Sequence, residues 1–117
     1  MALRCLIVDD NEAFLDSASR LLEAQGLQVV GRASSTADAL RLAERLQPDV
    51  VLVDVQLGDE DGFDLTRRLT AGTRSTRVVL ISTHTQDELA ELIAETPALG
   101  FLPKAALSAA AIAELLR

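Results

Sequence analysis

Six side chains able to do chemistry each follow directly on a short apolar run. Asp9 and Asp10 follow Leu6-Ile7-Val8, Asp54 follows Val50 to Val53, Ser82 and Thr83 follow Leu80-Ile81, and Lys104 follows Phe101-Leu102-Pro103. If these runs are strands of one sheet, three carboxylates, two hydroxyls and an ammonium meet at one edge. Carboxylates crowded into a partly desolvated crevice repel one another unless a cation neutralises them or protonation removes charge. A hard divalent ion with oxygen ligands answers that repulsion. Mg²⁺ suits it best, because it needs few protein carboxylates and keeps waters and phosphate oxygens in its shell. The other groups fit phosphoryl chemistry: a carboxylate as nucleophile, a hydroxyl donating to a phosphoryl oxygen and a lysine balancing charge. Asp54 stands alone and is the nucleophile candidate, its attack on phosphorus giving an acyl phosphate, whereas Asp9 and Asp10 form a pair suited to a metal and its waters.

Taken singly, each residue has a plainer reading. Asp54 would cap the loop after its strand, and Asp9 and Asp10, ahead of Asn11 and Glu12, would enrich a helix N-terminus in acids that suit its dipole. Lys104 would be a solvated loop lysine and Ser82 a hydroxyl bonded to backbone. Joint placement favours a site, because independent accidents would scatter over both ends of the sheet. Competing sites lack their chemistry. Asp-Asp-Asn-Glu follows the first run where a dinucleotide fold needs a Gly-rich turn, and neither a Gly-x-x-x-x-Gly-Lys loop nor a Gly-x-Ser-x-Gly elbow occurs. His84 is the only histidine. That excludes a His-rich metal cluster, and a Ser82/His84 hydrolase would need neighbouring strand-end residues to face each other.

The elements that must position these groups alternate along the chain. Strands are predicted at about Leu3 to Val8, Gln28 to Arg32, Val50 to Val53, Arg77 to Ile81 and Gly100 to Leu102, four of them almost continuously apolar, as strands covered on both faces are. Helical periods run between them. The first, about Asn11 to Gln25, is predicted to bury Phe14, Ala18, Leu21 and Leu22 and to stop at Gly26. The second follows Ser35, with Asp38 as a weak capping box, and ends before Pro48. The third covers about Phe63 to Thr70 and buries Leu65 and Leu69. The fourth opens on a capping box of Thr85 and Glu88, buries Leu89, Leu92 and Ile93 and ends before Pro97. The fifth begins near Ser108 and buries Ile112, Leu115 and Leu116. Five such βα pairs with right-handed crossovers predict an α/β fold, a doubly wound five-stranded parallel sheet between two helical layers. The expected strand order is 2-1-3-4-5, with the ligand crevice beyond the carboxyl ends of the first and third strands.

The 117 residues, 49% hydrophobic, are read as one domain spanning 1–117, with no linker and no room for an output domain. Cys5, the lone cysteine, lies in an apolar run and reads as a small core hydrophobe suited to a reducing cytoplasm. No segment approaches the roughly 18 to 20 apolar residues of a membrane span, and the N-terminal run is too short for a secretion signal. Eighteen acidic against 11 basic side chains give a net charge of −7, the wrong sign for direct contact with nucleic acid or an anionic membrane.

Four motifs together carry a resemblance: Leu6-Ile7-Val8-Asp9-Asp10, Asp49 to Asp54 with Asp61-Gly62-Phe63 beyond it, Leu80-Ile81-Ser82-Thr83-His84, and Gly100-Phe101-Leu102-Pro103-Lys104. Over essentially its whole length the chain resembles the receiver domains of bacterial two-component response regulators. The resemblance implies a flavodoxin-like (βα)5 fold with Asp54 as phosphoacceptor. It implies Mg²⁺ held by Asp9, Asp10, Asp54 and the backbone carbonyl of Gln56, with Ser82 as switch hydroxyl, Phe101 as aromatic switch and Lys104 as phosphate-pairing lysine. It further implies a phosphohistidine on a sensor histidine kinase as donor, and self-catalysed transfer and autodephosphorylation rather than turnover of a small substrate. The face of helix four, strand five and helix five would then dock a downstream protein or a second copy.

Three positions depart from the family pattern. Gly58 stands where proline is usual, so the loop after Asp54 is expected to be less restrained; Ala105 follows Lys104 where many members have proline; Phe101 replaces the commoner tyrosine. The run from Pro103 to Leu107 is similar to receivers that usually carry a helix-turn-helix DNA-binding domain. Two alternatives therefore stand beside the main reading: a receiver fragment of a longer DNA-binding transcriptional regulator, and a receiver-like interaction module that is not phosphorylated.

Overall fold

The structure is a computed structural model that describes residues 3–71 and 76–117. In chain order the elements are β1 (Arg4–Val8), α1 (Glu12–Ala24), β2 (Gln28–Ala33), α2 (Thr36–Leu46), β3 (Val50–Asp54) and a pair of two-residue arms, β4 (Gln56–Leu57) and β5 (Glu60–Asp61). They continue with α3 (Gly62–Thr70), β6 (Val78–Ser82), α4 (Ala90–Ala94), β7 (Gly100–Pro103), a 3₁₀ turn (Lys104–Ala106) and α5 (Ala109–Leu116). The main sheet is parallel throughout in the order β2-β1-β3-β6-β7, the predicted 2-1-3-4-5 once the antiparallel arms β4 and β5 are set aside.

The continuous apolar runs have both faces covered, as parallel strands require. Leu6, Val8, Val51, Val53, Val78 and Leu80 pack toward α2, α3 and the α4 side, while Cys5, Ile7, Val50, Leu52, Val79 and Ile81 pack toward α1 and α5. Alternate residues of each central strand thus feed two cores separated by one sheet. Burial pushes the Cys5 thiol up to about 12. Among the described residues no helix is long and apolar enough to cross a membrane.

Three helices open on Asn or Ser side-chain caps. Asn11 accepts from the Phe14 N–H at the start of α1, Ser35 from the Asp38 N–H at α2, and Ser108 from the Ala111 N–H at α5. Helix α1 ends in a Schellman motif: Leu27 N–H donates to the Leu22 carbonyl, Gly26 N–H donates to the Glu23 carbonyl, and Gly26 adopts a φ of +95°.

Three helices differ from expectation: in α5 Ile112 is buried, but Leu115 and Leu116 near the chain end are only half-buried. The stripe that α1 turns to the sheet is Leu15, Ala18, Ser19 and Leu22; Phe14 is only half-buried and Leu21 is exposed. Four apolar side chains in adjacent pairs, 14–15 and 21–22, fit either phase of a 3.6-residue period, and the Phe14 ring, packed at the margin of the core, also faces the Lys104 ammonium.

Helix α4 is shorter than predicted. The Thr85–Glu88 capping box does form, with Thr85 N–H donating to Glu88 Oε1 at 3.0 Å and Glu88 N–H to Thr85 Oγ1 at 3.3 Å. The next bonds, from Leu89 N–H to Gln86 and from Ala90 N–H to Asp87, span three residues, and regular helix covers only Ala90–Ala94. Acids at Asp87, Glu91 and Glu95 repel at i,i+4 spacing, and no residue of α4 is buried to repay helix formation: Leu92 is 51% exposed, with Leu89 and Ile93 half-buried.

Candidate functional site

The sheet brings Asp9, Asp10, Asp54, Ser82 and Lys104 together around a cleft of about 250 Å³ that Gln56, Gly58, Thr83 and His84 also line. Asp9 follows β1 and is fully buried, while Asp10 is exposed. Asn11 N–H donates to Asp9 Oδ1 at 2.9 Å, so the turn into α1 fixes that carboxylate. Asp54 closes β3, and its Oδ1 accepts from Gln56 N–H at 3.2 Å. Ser82 closes β6; it is 1% exposed, and its Oγ accepts from His84 N–H at 3.0 Å. From the end of β7, Lys104 donates to Asp54 Oδ2 at 3.2 Å and places Nζ 2.7 Å from Asp9 Oδ2.

Gln56 has its N–H on the phosphoacceptor candidate and sits at the cleft. Phe101 does not line it. Paired in register with Leu80, it is 6% exposed and lies in the core on the α2, α3 side of the sheet.

The loop after Asp54 is more restrained than its glycine suggests. Gly58 has a φ of +62° and opens a two-residue turn between β4 and β5, a conformation closed to proline, whose φ is fixed near −65°. Thr36 N–H donates to Glu60 Oε1 at 2.7 Å, and Phe63 N–H donates to Asp61 Oδ1 at 2.8 Å. Gly62 N–H returns to the Val55 carbonyl at 3.0 Å, and a Cβ at Gly62 would overlap the Asp54 carbonyl oxygen. Sequence reasoning found the Asp61-Gly62-Phe63 motif but not this close approach. Glu60 has no local signal at all, because its partner lies 24 residues away.

Burial pushes the Asp54 carboxyl above its ordinary range; the Gln56 N–H opposes this, the Asp9 charge adds to it and Lys104 opposes it. Burial acts to lower Lys104 as well, but Asp9 and Asp54 outweigh it and hold the ammonium above its usual value. One lysine thus serves two buried carboxylates. Asp9 Oδ2 is buried and has no aligned hydrogen-bond donor, its approach to Lys104 being an ion contact. Asp9, Asp10 and Asp54 each offer an oxygen within 4.8 Å of the others. An all-oxygen donor set of two buried carboxylates sharing one ammonium, with one exposed carboxylate beside them, fits a hard divalent cation that keeps part of its water shell. Beside it stand an oxygen nucleophile, a buried hydroxyl whose hydrogen is uncommitted to His84, and an ammonium. This set can stabilise charge on a transferring phosphoryl group.

A family model described as the response regulator receiver domain matches residues 5–117. The chain is 34% identical over 105 residues to response regulator GacA of Pseudomonas aeruginosa, covering 89% of this chain and 49% of that protein. It is 31% identical over 116 residues to transcriptional regulatory protein LiaR of Bacillus subtilis, covering 98% and 54%. The chain therefore spans about half the length of these relatives. Among solved structures it is similar to a response regulator protein from Burkholderia pseudomallei with a phosphorylated aspartic acid, calcium ion and citrate. That similarity has a TM-score of 0.83 at 27% identity, covering 98% of this chain and 66% of that one.

Proposed function

The chain belongs to the response regulator receiver domain family, and from that premise we propose that it takes a phosphoryl group onto Asp54 from a phosphohistidine of a sensor histidine kinase. The observation that carries this reading is the meeting of the Asp9, Asp10 and Asp54 oxygens within 4.8 Å, with Lys104 on both buried members. Mg²⁺, held by Asp9, Asp10, Asp54 and the Gln56 carbonyl, would supply charge neutralisation. An Asp54 carboxylate oxygen forms the new O–P bond as the P–N bond of the donor breaks and its electron pair leaves with the imidazole. Lys104 then pairs with phosphoryl oxygens, and the Ser82 hydroxyl donates to one of them while still accepting from His84 N–H.

The domain acts in signalling and turns over no small substrate on this reading. Because Phe101 is already inside the core, the switch needs no inward swing of that ring. The movement falls instead to the Ser82–His84 turn, which leads into α4, and the face of α4, β7 and α5 is where a downstream protein or a second copy docks. We place the protein in the cytoplasm, with its kinase. Mass spectrometry after incubation with Mg²⁺ and a small acyl phosphate tests the reading. A single phosphoryl gain lost in Asp54→Asn supports it, and undiminished labelling of that variant sinks it.

The length of the relatives favours a second reading, the receiver portion of a longer transcriptional regulator. A coding sequence continuing past Arg117 into a basic helix-turn-helix segment would decide for it.

A further inference from the structure

We propose that Phe14 is a positioning residue for Lys104, its ring keeping the ammonium at the cleft once a divalent ion has claimed the carboxylates. The inference rests on the phosphoryl-transfer reading and extends it to a residue that no motif marks. Lys104 Nζ lies 2.7 Å from Asp9 Oδ2, 3.2 Å from Asp54 Oδ2 and 4.3 Å from the Phe14 ring centroid. The first two are the oxygens a cation would need. Bound there, it would compete for both and repel the ammonium, and a long flexible stem would be free to carry Nζ into water.

The ring carries no charge for the ion to neutralise, so its attraction for the ammonium survives metal binding. Its place is fixed from the metal side: Asn11 N–H donates to Asp9 Oδ1, and the Asn11 side chain accepts from Phe14 N–H at 3.1 Å. Asp9, Asn11 and the Phe14 backbone are thereby linked by hydrogen bonds at the start of α1. Leu15 takes the sheet-facing position there, leaving Phe14 half-buried at the core margin against Lys104.

The full chain, its Phe14→Leu variant and its Phe14→Tyr variant distinguish this from simple packing. Without metal the carboxylates hold Lys104 in all three. In the parent, the lysine ε-methylene protons show an upfield ring-current shift by NMR that persists when Mg²⁺ is added. Phe14→Leu binds Mg²⁺ like the parent but binds fluoroberyllate, as the phosphoryl mimic, about three- to thirty-fold more weakly. Phe14→Tyr restores both the shift and the affinity. Loss of the parent's ring-current shift on adding Mg²⁺, or equal fluoroberyllate affinity of parent and Phe14→Leu, overturns the proposal. A parent that takes up neither Mg²⁺ nor fluoroberyllate overturns the phosphoryl reading itself, and the role of Phe14 with it.

Discussion

Asp54 is held in a place that suits its neutral form better than its charged one, and this makes the proposed phosphoacceptor a cost to the metal-free fold. Its pKa is raised above the ordinary 3.8, chiefly by burial, so the stability tied to the protonated carboxyl is complete below 3.8 and is lost as pH rises through the raised value. With chelator present, Asp54→Asn should therefore melt several degrees above the parent at neutral pH, and the gap should close as pH falls below the ordinary carboxylate range. Thermal melts across that pH series check it. Asp10, exposed beside two buried carboxylates, supports a related expectation. Asp10→Ala should fold as well as the parent or better without metal, yet lose most of the Mg²⁺-induced stabilisation, which for the parent is about 2.7 kcal/mol at a hundredfold excess over Kd. Equal Mg²⁺ responses would count against a metal site there. The acids, Ser82 and Lys104 were legible from type and place, since each ends a recognisable strand. Phe14 was not, because an aromatic at helical spacing reads equally well as core.

At the scale of elements, the strands were legible because continuous apolar runs leave one structure open to them, whereas α4 was not, because helix length depends on burial that arises only after folding. Its capping box set the local turn correctly, but repulsion between Asp87, Glu91 and Glu95 and the exposure of Leu92 left regular helix only over Ala90–Ala94. Glu91→Lys replaces two like-charge i,i+4 pairs with opposite ones and should stabilise the segment by roughly 0.5 to 1 kcal/mol. Amide exchange over residues 85–96 should slow accordingly; unchanged protection would show that charge does not limit this helix. The loop after Asp54 teaches the same lesson in reverse. Gly58 read locally as slack, yet the turn it closes and the Glu60 contact with α2 restrain the loop through a partner distant in sequence.

For the molecule as a whole, two cores flank one sheet, with the lightly covered α4 on one face and, on the other, α5 exposing Ala110 and Ala113 beside the half-buried Ala111. Small side chains allow close approach of another helix, so a phosphoryl mimic with Mg²⁺ should promote self-association through α4, β7 and α5. A single monomeric species in sedimentation with and without the mimic, together with unchanged exchange over residues 85–117, would remove that expectation. Strand β1 also supplies an internal clock for such experiments. The protein has no tryptophan or tyrosine, but Cys5 is fully enclosed and its thiol is held at about 12. A disulfide reagent can reach it only when the sheet opens, since reaction needs an accessible thiolate. Under fast reclosing, the labelling rate of this one native thiol reports the free energy of opening. Mg²⁺ should slow it in the parent by the factor 1 + [Mg²⁺]/Kd and leave the rate in Asp10→Ala nearly unchanged, giving ligand occupancy from a chemical modification rate with no dye or added chromophore in the fold.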